Sequence, residues 1–364
     1  MRFEWGATAL TLRQCFGARI RFPLGAHAMN IQEHVPLAPF TTFKIGGPAR
    51  FFVQVQSLPD LHDALAFAQK ENLSTFILGG GSNILVNDAG YDGLVIKIEL
   101  KGVEMAQEGE SILFVAAAGE SWDRVVERAV EKDLWGIENL SGIPGSIGGA
   151  VVQNIGAYGA VLSEALEWVE VYDRQREISR SFTKEMCTFG YRNSIFKQEP
   201  GRYVVLYAAT RLSHISNPNF SYKDIAERFR GRMPSVKEIR EAVLGIRKTK
   251  FPDLTLEGTA GSFFKNPVLP MLEAKKLQEK YPEMPTFSLP ESADIKVPLG
   301  WILDKTLHLK GFSYKGARLY ENQALVIAAQ KDATAEDIKT LADIIQKKVF
   351  EACGLKTEPE VHIL

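Results

Sequence analysis

The sequence predicts an α+β protein of two or three domains. Three observations carry this. Its 364 residues suffice for that number of domains. Short apolar, β-branched runs alternate with amphipathic helical patterns. Two long glycine-rich tracts punctuate the alternation.

In chain order, residues 51–55 (FFVQV) predict a strand. Ser57 and Asp60 then form an S-x-x-D start signal for a helix carrying Leu61, Leu65 and Ala68. A strand at 74–79, the loop GGGSN and a strand at 93–98 (GLVIKI) complete a small β-α-β-loop-β unit. A strand at 112–118 leads into a helix with Trp122, Val125, Val126, Ala129 and Val130 on one face. After the second glycine tract, 142–159, come strands at 166–173 and 202–212 and a helix at about 236–247. Beyond Phe251 lie a helix around 271–281, a strand at 323–329 and a final helix. Thr334 and Asp337 form its capping box, Ile338, Leu341, Ile345 and Val349 line its buried face, and Gly354 sits at C′. The tail TEPEVHIL predicts a last extended segment. The pieces are 29–98, 99–250, 251–350 and a terminal segment, 351–364.

Composition narrows the function. Hydrophobic residues make up 45% and charged residues 24%, with a formal net charge of −1. Such a chain has no electrostatic bias towards nucleic acid or an anionic membrane, and no apolar run is long enough to span a bilayer. The three cysteines, Cys15, Cys187 and Cys353, are far apart, without CxxC or Cys/His clustering; the sequence predicts no metal site and reduced, cytoplasmic thiols. Residues 1–28 carry Arg2, Arg13, Arg19 and Arg21 against Glu4 alone, but no clean apolar core or cleavage site. They are expected to be a disordered extension or a misassigned start, with Met29 as the alternative. A monomer is expected.

The glycine tracts point to a ligand. Gly79, Gly80 and Gly81, followed by Ser82 and Asn83, end a strand and allow close backbone approach. The loop matches neither a P-loop nor a G-x-G-x-x-G fingerprint, which disfavours P-loop kinases and simple Rossmann enzymes. GIPGSIGGAVVQNIGAYG (142–159) carries no charged residue. Two such tracts favour a buried dinucleotide site over tight packing alone.

TTFKIGG (41–47), LGGGSNILV (78–86), IPGSIGGAVVQNIGAYG (143–159), FGYRNSIFK (189–197), GTAGSFFKNP (258–267) and EPEV (358–361) occur in this order. Together they closely resemble the UDP-N-acetylenolpyruvoylglucosamine reductases, flavin enzymes of peptidoglycan precursor synthesis. The resemblance runs from about residue 30 to the C-terminus. It implies a non-covalent FAD module of the vanillyl-alcohol-oxidase (PCMH) type in two subdomains, 29–98 and 99–250, plus a C-terminal α+β substrate-binding domain. It implies NADPH-dependent reduction of UDP-N-acetylglucosamine enolpyruvate to UDP-N-acetylmuramate. Flavin contacts are expected from Gly79, Gly80, Gly81, Ser82, Asn83, Pro144, Gly145, Gly148, Gly149 and Asn154.

The implied chemistry needs a cation for the substrate carboxylate, a proton for C2 and a dry site. The resemblance assigns the first to Arg192, whose guanidinium matches a carboxylate. It assigns Ser262 as proton donor and Glu360, in the terminal segment, as a nearby carboxylate able to donate a hydrogen bond when protonated. Lys250 and Asn266 suit a nucleotide diphosphate or uracil, and Tyr222 matches a loop tyrosine of one subclass. Tyr320 stands where many relatives carry histidine, so imidazole is not required there. Two alternatives stay open: an FAD-dependent sugar or alcohol oxidase or dehydrogenase on the same module, and a non-catalytic nucleotide binder. Neither glycine tract holds a histidine or cysteine that could tether a flavin.

Overall fold

The computed structural model describes residues 29–288 and 293–364. The expected N-terminal extension, with Cys15, lies outside them. The first strands are β1 (Gln32–Pro36) and β2 (Pro48–Val55), followed by helix α1 (Leu58–Lys70). Ser57 caps α1 by accepting from Asp60 N at 3.2 Å, as its S-x-x-D signal requires. Then come β3 (Thr75–Leu78), β4 (Ile84–Leu85), β5 (Tyr91–Ile98), β6 (Val103–Glu108) and β7 (Ser111–Ala117). Helix α2 (Trp122–Val130) buries its five predicted apolar residues. Helix α3 (Ile147–Gln153) and the hairpin β8 (Gly156–Ala157) and β9 (Ala160–Val161) lie inside the second glycine tract. Strands β10 (Leu166–Asp173), β11 (Ile178–Thr183) and β12 (Tyr203–Ser213) lead to helices α4 (Lys223–Arg228) and α5 (Val236–Lys250). The C-terminal part has short strands β13 (Val268–Leu269), β14 (Phe287–Ser288) and β15 (Ile295–Lys296), with helix α6 (Met271–Lys280) after β13. It ends with β16 (Ser313–Tyr314), β17 (Ala317–Tyr320), β18 (Gln323–Ala329), helix α7 (Ala335–Cys353) and β19 (His362–Ile363).

Contacts divide the described chain into two units. The first takes residues up to 35, then 49–80 and 92–246; the second takes 36–48, 81–91 and 247–364. In the first, β1-β2-β5-β3 form one sheet, with β3 and β5 parallel from Thr75 opposite Leu94. A second, antiparallel sheet has the order β11-β10-β12-β7-β6. Trp122, Val126, Phe114, Ala116, Val169 and Val171 belong to the buried core of this unit. In the second unit, β16-β17-β18 form an antiparallel sheet. Helix α7 supplies Ile338, Leu341, Ile345 and Val349 to a core that also holds Phe263 and Phe264. Its capping box and its C′ residue Gly354, at φ 69°, stand as predicted.

Strands β6 and β11 lie outside the predicted set. Both are edge strands, and their sequences VEMAQE and ISRSFT are half polar or more and partly exposed. Water on two sides removes the alternation that marks a half-buried strand. Helix α3 is another addition: glycines hide its helical pattern, yet Ser146 caps it, accepting from Gly149 N at 3.4 Å.

Candidate active site

The first unit brings the two glycine tracts into contact. A Cβ on Gly79 would lie 2.6 Å from Ser146 Oγ, and one on Gly80 would lie 2.5 Å from Gly145 Cα. The neighbours of Gly80 are backbone atoms that cannot yield at such distances, so the tracts touch there only because a side chain is absent. Pro144 and Gly145 sit at the turn into α3, and Gly148 and Gly149 form its first turn. A Cβ on Gly149 would meet nothing nearer than Ser146 Oγ at 3.6 Å, so that face of the turn is open. The result is an uncharged cradle of main-chain groups and hydroxyls. That donor set fits an extended dinucleotide such as FAD, whose phosphates take amides and whose rings need close, side-chain-free approach.

Asn154 closes α3 in the left-handed region, at φ 43°. Its Nδ2 donates to Gly190 O at 3.1 Å and its Oδ1 accepts from Ser163 N at 3.1 Å. Both polar atoms of this expected flavin residue are thus engaged by backbone, and its Nδ2 pins the turn that carries Arg192. That turn is closed by Gly190 and Asn193, whose N–H groups each donate to the other's carbonyl at 3.0 and 3.1 Å. Arg192 has φ 52° and donates from Nη2 to Gly156 O at 2.7 Å. Lys197 Nζ donates to Arg192 O at 3.0 Å.

Tyr222 packs edge-on against Tyr158, ring centroids 5.0 Å apart. A residue that the sequence did not flag organises this loop. Asn139, 1% exposed, donates from Nδ2 to Tyr158 O at 2.8 Å and to Asn219 O at 3.0 Å. Its neighbour Glu138 is also buried, which pushes its carboxyl above the usual range although Gly136 N donates to it at 2.7 Å. Only the low chance of burying an Asn or Glu without partners would have drawn attention to ENL in the sequence, and that signal appears only after burial is known.

In the second unit the backbone around Ser262 is an extended segment between two partners. Gly258 and Ser262 bridge Ala329 and Val326 of β18, while Phe264 bridges Pro359 of the tail. Glu360 N donates to Phe263 O at 2.8 Å, and Lys265 N to Glu358 O at 3.0 Å. Ser262 and Glu360 are therefore held on adjoining, backbone-paired segments, with Glu360 opposite Phe263. Phe263 and Phe264 are buried beneath them, ring centroids 5.1 Å apart. Ser262 is half-buried, and its hydroxyl has no hydrogen-bond partner among the described residues. Gly261, at φ 78°, would place a Cβ in near-open space, 3.9 Å from Phe251.

Of the remaining expected residues in this unit, Gly81 takes φ 63°, where a Cβ would collide with Phe40 O, and its own carbonyl accepts from Thr42 N at 3.0 Å. Ser82 follows it, half-buried. Asn83 Nδ2 donates to Glu360 O at 3.0 Å. Asn266 Oδ1 accepts from Leu299 N at 3.0 Å. Lys250 ends α5, whose last turn also carries Arg247 and Lys248. Tyr320 lies beneath the Arg318 guanidinium, 5.3 Å from its ring centroid. Among the described residues no His/Cys/Asp/Glu group is arranged to hold a metal, and no helix is long and apolar enough to cross a membrane.

Comparison with known proteins decides the family. Residues 49–180 match an FAD-binding domain, and residues 253–364 match the C-terminal domain of UDP-N-acetylenolpyruvoylglucosamine reductase. The reductase of that name from Pseudomonas aeruginosa is 34% identical over 340 residues, covering 92% of this chain and 99% of the relative. That from Neisseria meningitidis serogroup A is 38% identical, covering 92% and 97%. The chain belongs to the UDP-N-acetylenolpyruvoylglucosamine reductase family. Like its family, it is an FAD-dependent oxidoreductase, and the fold expected from the resemblance is the one observed. The crystal structure of the Thermus caldophilus reductase shares that fold, with a TM-score of 0.65 over 92% of this chain and 99% of that one, at 24% identity. Among the family motifs, EPEV and GTAGSFFKNP are paired backbone to backbone.

Proposed function

We propose that this chain uses NADPH to reduce the enolpyruvyl ether of UDP-N-acetylglucosamine enolpyruvate to the lactyl ether of UDP-N-acetylmuramate, in the cytoplasm, for peptidoglycan precursor synthesis. Family membership supports the substrate class. The observation that supports the mechanism is the backbone pairing of GTAGSFFKNP with EPEV, in which Glu360 lies opposite Phe263, the residue after Ser262. FAD, when bound, supplies the hydride.

The chain's own residues then have three tasks. Negative charge develops on C2 and spreads into the attached carboxylate, and Arg192 is the cation assigned to it. Ser262 Oγ, uncommitted to any described acceptor, donates the proton to C2. Glu360, one paired strand away, stabilises the developing charge when protonated. The buried Phe263 and Phe264 keep the floor of this segment dry. Asn266 offers its Nδ2 to a phosphate or uracil oxygen, since only its Oδ1 is engaged among the described residues. Lys250 adds a point charge, and Tyr222 a ring, for the sugar nucleotide.

The test is anaerobic absorbance at the flavin band. NADPH should bleach the holoprotein, and UDP-N-acetylglucosamine enolpyruvate should restore the band. Ser262→Ala should bleach normally and recover more slowly by about three orders of magnitude or more, the scale of a lost general acid. Bleaching without recovery in the parent protein would reject this substrate. Full-rate recovery in Ser262→Ala would reject the serine as proton donor.

A further inference from the structure

Glu360 is held by both of its peptide groups. Its N–H donates to Phe263 O at 2.8 Å, and its carbonyl accepts from Asn83 Nδ2 at 3.0 Å. The same asparagine accepts from His362 N through its main-chain carbonyl at 3.0 Å. From there the tail runs parallel to β4, with His362 opposite Ile84 and Ile363 opposite Leu85. Leu364 N donates to Leu85 O at 2.9 Å, and Asn87 N to Leu364 O at 2.7 Å. Val361, 4% exposed, is the apolar pin between these contacts. The last residue of GGGSN thus grips the terminal segment on both sides of Val361, using a side-chain donor for Glu360 and a main-chain acceptor for His362.

We propose that Asn83 is a positioning residue for Glu360: its side-chain amide fixes the peptide that orients the Glu360 carboxyl, and so ties the glycine loop to the acid–base end of the site. This rests on the reading of Glu360 as an active-site carboxylate. The chemistry is specific to an amide. Aspartate has the same shape, but its ionised carboxylate has no proton to give and would set two oxygens against each other. The tail beyond Val361 stays paired to β4 in either variant, so the loss falls on the orientation of Glu360 and not on the fold.

The experiment uses the full chain saturated with FAD, with both half-reactions followed by absorbance. Asn83→Ala and Asn83→Asp should slow flavin recovery by the enolpyruvyl substrate about tenfold more than they slow bleaching by NADPH. In a Glu360→Gln background, Asn83→Ala should add less than about twofold, because the two changes remove one function. Equal losses in the two half-reactions, or losses that multiply, overturn the proposal. Amide hydrogen exchange at Glu360 and Val361 provides an independent reading: Asn83→Ala should speed it about tenfold while residues 362–364, still paired to β4, keep their protection, and unchanged exchange at Glu360 and Val361 overturns the proposal. Should Glu360→Gln alone recover at the parent rate, the role given to Glu360 fails, and exchange by itself decides whether Asn83 holds the tail.

Discussion

Glu170 is a carboxyl in the wrong place by the usual rules. It sits on β10, opposite Tyr207 of β12 and Ser181 of β11, and is 9% exposed. Its Oε2 has no partner among the described residues. Burial pushes its pKa up to about 7 from 4.5. Below pH 4.5 the folded and unfolded states both hold the proton, and the fold keeps its full stability. Between 4.5 and 7 the unfolded chain releases the proton while the folded one retains it, so stability falls as pH rises and levels off above 7. Glu170→Gln should therefore raise stability at pH 8 by roughly 1–3 kcal/mol and leave it nearly unchanged at pH 4.5. Urea melts at the two pH values check this, and equal shifts at both would show that packing, not ionisation, is responsible. Single residues of this kind are poorly legible in the sequence: LEWVEVYD reads as a strand, but nothing local says that Glu170 faces inward. Ser262, by contrast, was legible only through its motif. A lone serine between glycine and phenylalanine has no chemical signature of its own.

Elements were more legible where their signals are local. The Thr334–Asp337 capping box and Gly354 fix both ends of α7, and each signal lies within one turn of the end that it marks. The remaining amides of that helix's first turn are satisfied from far along the chain. Asp88 accepts from Ala335 N at 2.8 Å and from Glu336 N at 3.1 Å. The carboxylate also opposes the positive end of the helix dipole. No sequence pattern joins positions so far apart, and Asp88 in LVNDAG looks like an ordinary turn residue. Asp88→Ala should cost about 1–2 kcal/mol, the upper range for losing a cap, because two amides lose their acceptor at once. Asp88→Asn should cost less, since one oxygen remains. The midpoint of denaturant unfolding measures both; a cost for Asp88→Ala within a few tenths of a kcal/mol of zero would mean that water replaces the carboxylate fully.

At the scale of the whole molecule, the second unit is assembled from three separate stretches of chain. Its core takes Phe43, Ile45 and Leu85 from the two early stretches, with exposures of 1%, 7% and 0%. The early stretches also supply β4, the partner of β19, and Asp88, the cap of α7. Periodicity cannot reveal such sharing, because it reports which face of an element is buried and not what buries it. The consequence is measurable. A fragment starting at residue 247 contains every C-terminal element of this unit but lacks those contributions. Removing three large buried side chains forfeits roughly 1.5–3 kcal/mol each, or about 5–9 kcal/mol together. That approaches or exceeds the roughly 5–15 kcal/mol by which a domain is stable at all. The fragment 247–364 should therefore lack a cooperative thermal transition and a defined near-UV circular dichroism spectrum, while keeping helical far-UV signal from α7. A sharp two-state melt would show instead that the sheet β16-β17-β18 and α7 suffice as a core, and that the early stretches dock onto a domain already folded.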